Sequence, residues 1–420
     1  MKSKIIHIIN HPPAYEEYAD KPRPAINWDT PSGSWVGIWG YDWADQICTE
    51  LSKVTDAFEF EVWQPDLRAD KIYTAIISDR VKHLAFPCKE NYAYKCFKKI
   101  NQYFSAEMVK KIIEYQSSHI KILIVTNLEK NKLNNEIRKN NLPVIFSFLG
   151  LPDNLYKTKF TWNPVKFLSR YANNVDQLSF LRKISYVQIG DYLPRGLNRI
   201  KKLTDAEIIT SMIGVSQEYY KKLPKEKARE LLKINSNDKI LFTSSRLVDI
   251  KQIDKLIQVC ANIADLEFKL IVSGHGTKQY EEYLNSVADE FKIKNKIIFI
   301  GYQDEQSLIQ YYCAADLFIN VSNNDGGPMS AWKALALEIP VMNTDVGNVY
   351  HFLVSQNAGI IVPKDNYIEW EKVLREFLTD KRIPKIVDNA VIEELLSWYK
   401  ISSRNIMKYK SIINEYYKTK

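Results

Sequence analysis

Apolar runs of strand length recur along the first half of the chain, and longer amphipathic stretches lie between several of them. The runs are Lys4–Ile9, Phe58–Trp63, Ile120–Thr126, Val144–Phe148, Ile184–Ile189 and Ile208–Ile213. Helical periodicity is clearest over Tyr41–Leu51 and Ala106–Gln116. Strands that alternate with helices predict βαβ units and therefore a parallel sheet.

The same rhythm resumes in the second half, where the strand candidates are almost continuous in Ile, Leu, Val and Phe. They are Lys239–Thr243, Phe268–Ser273, Lys296–Ile300, Leu317–Val321 and Val341–Asn343, separated by helical patterns at Ile253–Ile263, Gln279–Phe291, Gln306–Ala314 and Met329–Leu337. Continuous apolar strands are typical of parallel sheets that are covered on both faces. A Lys-rich stretch, Tyr220–Leu232, intervenes, so we place the change of domain between Gly214 and Asn237. The sequence predicts two doubly wound α/β domains in tandem.

Composition agrees with a globular chain and excludes several other classes. The 420 residues are 45% hydrophobic and 26% charged, with only 14 Gly and 16 Pro. This excludes a disordered or collagenous protein, and no apolar run approaches the ~18 residues of a membrane span. The first residues do not resemble a secretory signal. Five scattered cysteines without a Cys-x-x-Cys pair favour a reducing cytoplasm and indicate neither a disulfide framework nor a zinc site.

The net charge of +8 is unevenly distributed. Residues 95–200 carry 18 Lys and Arg against 7 Asp and Glu, a net charge of +11, whereas residues 201–420 carry 30 against 29. Lys95, Lys98, Lys99, Lys110 and Lys111 lie in a stretch that we predict to be largely helical. Two interpretations stay open: a solvated helix surface, or attraction to an anionic membrane or acidic acceptor. Nucleic acid is not indicated, because no base-reading module is recognisable.

Ligands of open parallel sheets bind beyond the carboxyl ends of the strands, so the residues just after each strand are the candidates, in a cleft between the two domains. After the strand at Lys239–Thr243, Arg246 and Lys251 lie five residues apart across a strand-to-helix turn. A guanidinium and an ammonium at that spacing suit a diphosphate, whose charge they would neutralise on departure. The alternative is a surface Arg and Lys that flank a loop.

Two further segments follow buried strands. Gly274-His275-Gly276 comes after Phe268–Ser273; it allows close backbone approach to a ligand, although a tight turn with a structural histidine explains it equally. The run from Ser322 to Ser330 contains Asp325, Gly326, Gly327 and Pro328 ahead of a helix. Its glycines would expose amides to an anion while the aspartate accepts hydrogen bonds from sugar hydroxyls. An Asp-Gly-Gly turn before a helix is the structural alternative.

Seven segments in this half carry a family resemblance. They are Ser245–Val248 with Lys251, Val272–Gly276, Ile298–Tyr302, Ala314–Ile319, Ala334–Ala336 with Pro340 and Val341, Thr344–Gly347, and Ala358–Pro363. In order and spacing they resemble the donor-binding domain of the retaining, nucleotide-sugar-dependent glycosyltransferases of the GT-B fold (group 1, family four, glycogen-synthase-like). The resemblance implies two Rossmann-like domains that face each other across a cleft. Residues 1–216 would form the acceptor side, 217–395 the donor side, and 396–420 a terminal helix on the first domain.

The resemblance assigns roles residue by residue. Arg246 and Lys251 match the basic pair that holds the donor diphosphate, and Asp325 matches the first of two family glutamates, the one that contacts the transferred sugar. The second glutamate, which contacts the ribose, is replaced by Lys333, which either adds to the phosphate clamp or lies on the helix surface. The remaining donor-binding candidates are Gly37, Gly274, His275, Gly326, Gly327, Met329, Ser330 and Thr344.

The first domain matches the family more loosely. Gly37 lies in a glycine-containing segment, Pro31–Gly37, that resembles the family loop near donor and acceptor. A histidine that is frequent in the family aligns with Leu149, so that contact is absent. The terminal helix from Ser397 to Tyr417 resembles the family helix that packs back on the first domain.

The chemistry that the resemblance implies is transfer of a sugar from a nucleotide-diphosphate sugar to an acceptor hydroxyl with retention, without a metal ion or other cofactor. A bacterial cell-envelope or surface glycan, made in the cytoplasm or on the inner face of the membrane, is the commonest setting in the family. Because Lys333 and Leu149 replace family residues, the alternative is a catalytically degenerate binding or scaffold subunit. An epimerase or phosphorylase on the same fold is a third reading. Donor base, sugar and acceptor cannot be read from the sequence.

Overall fold

The structure is a computed structural model that describes residues 2–10, 40–90, 103–127, 132–140, 142–148, 171, 175, 177–190 and 194–418. The chain divides into two compact units. The first unit comprises Met1–Met212 together with Tyr399–Lys420, and the second unit comprises Ile213–Trp398. The predicted α/β class with two parallel sheets is confirmed. None of the described helices is long and apolar enough to cross a bilayer.

Strands and helices of the first unit begin at the amino terminus. They are β1 (Ser3–Ile8), α1 (Gly40–Lys53), β2 (Phe58–Asp66), β3 (Tyr73–Ser78), β4 (Val81–Pro87), β5 (Lys89–Glu90), β6 (Tyr103–Phe104), α2 (Ala106–Ser117), β7 (Ile122–Asn127), α3 (Lys132–Lys139), β8 (Val144–Phe148), β9 (Tyr186–Ile189), α4 (Pro194–Lys201) and β10 (Glu207–Thr210). Eight of the described strands form one sheet in the order β10-β9-β8-β7-β1-β2-β4-β3, and β5 pairs with β6. Neighbours in the large sheet run parallel except β3, which is antiparallel to β4.

Elements of the second unit follow in chain order. They are α5 (Lys225–Leu232), β11 (Ile240–Ser244), α6 (Ile253–Asn262), β12 (Lys269–Ser273), α7 (Lys278–Glu290), β13 (Ile297–Gly301), α8 (Glu305–Ala314), β14 (Leu317–Asn320), α9 (Met329–Ala336), β15 (Val341–Thr344), α10 (Gly347–Gln356), β16 (Ile360–Val362), α11 (Tyr367–Leu378) and α12 (Asn389–Leu396). The last helix, α13 (Trp398–Lys418), belongs almost entirely to the first unit. The six strands pair in parallel in the order β13-β12-β11-β14-β15-β16.

Amphipathic helices cover both faces of the first sheet. One face packs on α2 and α3, through Met108, Ile112 and Leu133, and the other packs on α1 and on α13. Helix α13 is fixed there by specific hydrogen bonds as well as by apolar contact. The Tyr409 hydroxyl donates to Gln188 Oε1 at 2.8 Å, and Asn405 Nδ2 donates to Ser211 Oγ at 2.7 Å. The last helix is therefore part of the first unit's core.

One partly buried carboxylate connects helix α5 to the sheet of the second unit. Asp316, at the start of β14, accepts from Ile240 N at 2.6 Å, from Arg229 Nη2 at 2.9 Å and from Lys225 Nζ. Arg229 lies on α5 and also donates to the carbonyl of Ala314. Asp316 belongs to one of the segments that carry the family resemblance, and its role here is to tie α5 to the sheet. Such a satisfied network stabilises one arrangement of its elements.

His7 is a buried titratable side chain in the middle of the first sheet. It lies on β1 with 7% of its surface exposed. Burial lowers the pKa of His7 from its usual 6.5 to about 4, because the charged form loses its hydration. The folded first unit therefore keeps this imidazole neutral under conditions in which an unfolded chain protonates it.

Because the folded pKa lies below the unfolded one, stability from His7 is present above pH 6.5 and is lost as the pH falls toward 4. Between pH 7 and pH 5 the first unit should lose about 2 kcal/mol more than a His7→Gln variant. Urea unfolding followed by hydrogen exchange of β1 peptides reports this unit separately. An equal loss in protein and variant would contradict the assignment.

Candidate functional site

The loops after β11 and β12 approach each other so closely that glycine is required. A Cβ on Gly274 would lie 1.7 Å from the carbonyl oxygen of Ser245, and one on Gly276 would lie 2.2 Å from that of Leu247. Gly274 also has φ +130°, which disfavours other residues. The amide of Leu247 donates to the carbonyl of His275 at 2.7 Å. The Gly-x-Gly pattern is thus explained by backbone packing, which holds the Arg246 loop in place.

Two of the predicted catalytic residues meet in an ion pair. The ammonium of Lys251 donates to Asp325 Oδ2, although 74 residues separate them in the chain. Both side chains are largely buried, with 16% and 14% of their surfaces exposed. The backbone joins the same two loops, because Asn323 N donates to the carbonyl of Ile250 at 2.9 Å. The carboxyl edge of the sheet therefore brings the loop after β11 to the loop after β14.

The Asp325 carboxylate has further polar contacts within its own loop. Gly327 N donates to Asp325 Oδ1 at 3.2 Å, and the hydroxyl of Ser322 lies 3.5 Å from Oδ2. A carboxylate that accepts from a backbone amide and an ammonium is held in one orientation. In this arrangement Asp325 fixes Lys251, and its predicted contact with the transferred sugar stays a prediction.

The glycine turn leads into the first turn of α9. Pro328 precedes the helix, and Met329 and Ser330 are its first residues. The first amides of a helix have no intrahelical acceptor and favour anions. Asn348 stabilises the turn, because its backbone N–H donates to the carbonyl of Gly326 at 3.2 Å. A Cβ on Gly327 would lie 2.8 Å from Asn348 Nδ2, so the second glycine makes room for this side chain.

Arg246 and His275 lie beside this edge on the neighbouring loops. Both side chains are half-buried. Arg246 belongs to the loop that ends at Lys251, and Ser245 Oγ donates to the Arg246 carbonyl at 3.2 Å. The ring of His275 lies 5.7 Å from that of Tyr302, centroid to centroid. The donor-binding role of His275 stays a prediction.

Lys333 is paired with an acid that the sequence did not single out. Its ammonium lies 2.7 Å from Glu305 Oε1 and 4.8 Å from the ring centroid of Tyr219. The buried Tyr219 hydroxyl donates to Glu305 Oε2 at 2.5 Å, and burial, with the nearby Glu305 charge, raises the pKa of Tyr219. Glu305 balances the charge of Lys333, as Asp325 balances that of Lys251, and the predicted part of Lys333 in a phosphate clamp stays a prediction.

Thr344 is buried behind the loop. None of its surface is exposed, and its hydroxyl donates to the carbonyl of Ser322 at 2.7 Å. Thr344, predicted as a donor-binding residue, thus contacts the loop that carries Asp325. Asn320 and Asn343, at the ends of β14 and β15, are buried beside it. The sequence signal for this pair is an asparagine at or next to the last position of each of two adjacent apolar strands.

Some sequence predictions fall outside the described residues. Gly37 and Leu149 lie there, as do Lys95, Lys98 and Lys99. Within the part of the chain that the structure describes, no group of three or more His, Cys, Asp or Glu residues could hold a metal ion.

Comparison with known proteins finds a family model that matches most of the second unit. Residues 224–393 match the family model described as Glycosyl transferases group 1. The glycogen synthase of Desulfitobacterium hafniense is 28% identical over 207 residues, which are 46% of this chain and 43% of that protein. The chain spans less than half the length of the first curated relatives that it matches.

Solved structures extend the likeness over the whole chain. Sucrose-phosphate synthase from Thermosynechococcus elongatus superposes with a TM-score of 0.74 at 15% identity, covering 99% of this chain and 100% of that one. The HepE protein of Anabaena in complex with UDP-glucose gives a TM-score of 0.64 at 15% identity, covering 97% and 99%. At these identities the likeness shows the fold, which is GT-B.

The close approach at Gly276 can be tested by adding one methyl group. Gly276→Ala should destabilise the second unit by about 3 kcal/mol, because its Cβ meets a backbone carbonyl that cannot rotate away. Gly301→Ala is the matched control: Gly301 has φ +67° but nothing within 4 Å, so only about 1 kcal/mol of backbone strain is expected. Urea unfolding followed by hydrogen exchange of second-unit peptides measures the stability loss in each variant. A smaller loss for Gly276→Ala than for Gly301→Ala would refute the packing argument.

Proposed function

Residues 224–393 belong to the glycosyl transferases group 1 family, and on that premise we propose that this protein transfers a sugar from a nucleotide-diphosphate sugar to an acceptor hydroxyl. The observation that carries the proposal is the ion pair of Lys251 and Asp325 at the carboxyl edge of the second sheet. Arg246 lies on the same loop as Lys251, and the first turn of α9 follows Asp325. A basic pair beside a helix N-terminus suits a diphosphate.

Each group has a stated part in the reaction. Arg246 and Lys251 bind the donor diphosphate, and their charge stabilises the nucleoside diphosphate as it leaves. The amides of Met329 and Ser330 add partial positive charge from the helix N-terminus. Asp325 holds Lys251 in position. These groups together supply the neutralisation that a divalent ion would otherwise provide, so we propose metal-independent transfer.

Retention follows from the face on which the acceptor attacks. The bond between the anomeric carbon and the phosphate oxygen breaks, and a bond to the acceptor oxygen forms on the same face. The acceptor proton passes to the departing phosphate, which becomes the leaving nucleoside diphosphate. This route needs no side-chain base, and the site supplies charge stabilisation and orientation instead.

A uridine nucleotide sugar is the first donor to test. HepE, whose structure holds UDP-glucose, shares the fold over nearly the whole chain. A sugar acceptor in a bacterial surface glycan, glycosylated in the cytoplasm, completes the proposal. The competing candidate is a scaffold subunit that binds without turnover. It is supported by Lys333, which replaces the family's ribose-binding glutamate and forms an ion pair with Glu305.

Turnover on a donor panel tests the proposal. The protein should release the nucleoside diphosphate from one of the UDP-, GDP- or dTDP-sugars when acceptors are supplied; CMP-sugars, which carry a single phosphate and would release CMP, complete the panel. Arg246→Ala and Lys251→Ala should each lower kcat/KM by about 10²–10³, or ~3–4 kcal/mol, since each removes an electrostatic donor. Lys255→Ala, which removes an ammonium paired with Asp254 on α6, is the control and should keep its rate.

Other results would change the conclusion. Binding of a nucleotide sugar without release favours the scaffold subunit, and a changed sugar without acceptor favours an epimerase. Near-normal turnover in both Arg246→Ala and Lys251→Ala would remove these residues from the catalytic site.

We further propose that the basic segment 95–200 contacts an anionic membrane surface, where a lipid-linked acceptor would lie. Helix α4 carries three basic residues and no acidic one, and the following Lys202 is exposed. Lys110 and Lys111 on α2 are paired with Glu107 and Glu114, so α2 contributes little net charge. The support lies therefore in the charge of α4 and its surroundings.

Vesicle binding tests this contact. The protein should sediment with phosphatidylglycerol vesicles and not with phosphatidylcholine vesicles, and raising salt from about 50 mM to about 500 mM should release it by screening. Lys201→Glu with Lys202→Glu should weaken binding. Lys278→Glu with Lys292→Glu, the same charge change at exposed positions of the second unit, should not. Equal sedimentation with phosphatidylglycerol and phosphatidylcholine vesicles would contradict the proposed membrane contact.

A further inference from the structure

A cluster of polar side chains is buried at the ends of β14 and β15, behind the ion pair of Lys251 and Asp325. Ser322, Asn343 and Thr344 expose none of their surface, and Asn320 exposes 5%. Buried polar groups cost free energy unless their hydrogen bonds are made. Apolar side chains would fill the ends of these strands at lower risk, so the polar cluster calls for a structural reason.

The register of the sheet brings the two asparagines together. Asn320 and Asn343 are direct partners in the parallel pairing of β14 and β15. Asn320 Nδ2 donates to Asn343 Oδ1 at 2.7 Å. Asn343 Nδ2 in turn donates to the carbonyl of Thr344, just where β15 ends. The amide pair therefore fixes the ends of two adjacent strands relative to each other.

From the amide pair the hydrogen bonds continue to Ser322, which lies beside the ion pair of Lys251 and Asp325. Ser322 Oγ donates to Asn320 Oδ1 at 3.0 Å, and Thr344 Oγ1 donates to the Ser322 carbonyl at 2.7 Å. The same Ser322 hydroxyl lies 3.5 Å from Asp325 Oδ2, the oxygen that accepts from Lys251. Ser322 is thus held by hydrogen bonds at both its hydroxyl and its carbonyl. Its hydroxyl lies beside the Asp325 carboxylate, which orients the Lys251 ammonium.

We infer that Asn320, Ser322, Asn343 and Thr344 are positioning residues for Lys251, acting through Asp325. They form a rigid support, the polar relay, that sets where the Lys251 ammonium lies on the loop after β11. The consequence for catalysis rests on the proposed function. A shift of about 1 Å in a charge-stabilising group can cost about 10²-fold in rate.

The chain offers variants that change single atoms of the relay. Ser322→Ala removes the hydroxyl beside Asp325, and Thr344→Val replaces the hydroxyl that holds Ser322 with a methyl group. Thr344→Ser keeps that hydroxyl and should restore the parent behaviour. Ser355→Ala is the control outside the relay, because its hydroxyl also donates to a backbone carbonyl, that of Phe352 on α10.

The first measurement is independent of any activity. Trace acetylation with acetic anhydride, read by peptide mass spectrometry, compares the reactivity of Lys251 with that of Lys255. An ammonium that is enclosed by a carboxylate reacts slowly, so Ser322→Ala and Thr344→Val should raise the relative labelling of Lys251 about threefold or more. Thr344→Ser and Ser355→Ala should not. Unchanged labelling in both Ser322→Ala and Thr344→Val would overturn the relay.

The second measurement couples the relay to turnover. Ser322→Ala should lower kcat about tenfold with donor KM changed less than about threefold, and it should cost nothing further in the Lys251→Ala background, because contacting residues are not additive. An equal loss in both backgrounds would show a structural effect alone and overturn the inference. If no donor is turned over, the proposed function fails, and the labelling of Lys251 still decides the relay. Should Ser322→Ala fold poorly, the Thr344→Val and Thr344→Ser pair carries both measurements.

Discussion

All six described strands of the second unit run parallel, and this constraint places the candidate loops after β11, β12 and β14 at one edge of the sheet. Parallel neighbours end on the same side, so the loops after β11, β12 and β14 must share space there. Space is short: the backbone of Gly274 lies so close to the Ser245 carbonyl that any side chain would collide with it. The loops can therefore pack only with glycine at these positions. The packed loops hold Arg246 and Lys251 at the carboxyl edge of the sheet, where a ligand would bind.

Polar groups buried at this edge serve geometry more than stability. Hydrogen-bonded amides and hydroxyls at Asn320, Ser322 and Asn343 contribute little net free energy, because folding exchanges water for protein partners. They do select one arrangement, since any other leaves a buried group unsatisfied. The Lys251 and Asp325 pair ends this network at the surface of the loops. The charged pair is thereby connected by polar contacts to the ends of two adjacent strands.

Sequence periodicity predicted most of the described elements because apolar spacing reflects burial directly. Helices such as α2 and α6 and strands such as β11 and β14 lie where the pattern placed them. The hairpin of β3 and β4 was missed. Its strand Val81–Pro87 contains Lys82 and His83, and the buried His83 has Asp45 on α1 at 3.0 Å from its Nδ1. A partner 38 residues away leaves no local signal.

By itself the sequence determined the α/β alternation, the family likeness of the second half and the basic pair at Arg246 and Lys251, because these depend on local spacing and on residue type. Tertiary structure alone decided which groups meet. It paired Lys251 with Asp325 and Lys333 with Glu305, and it turned Thr344 inward onto Ser322. Such pairings depend on sheet order and strand register, and those are set by the packing of the whole unit rather than by any stretch of neighbouring residues.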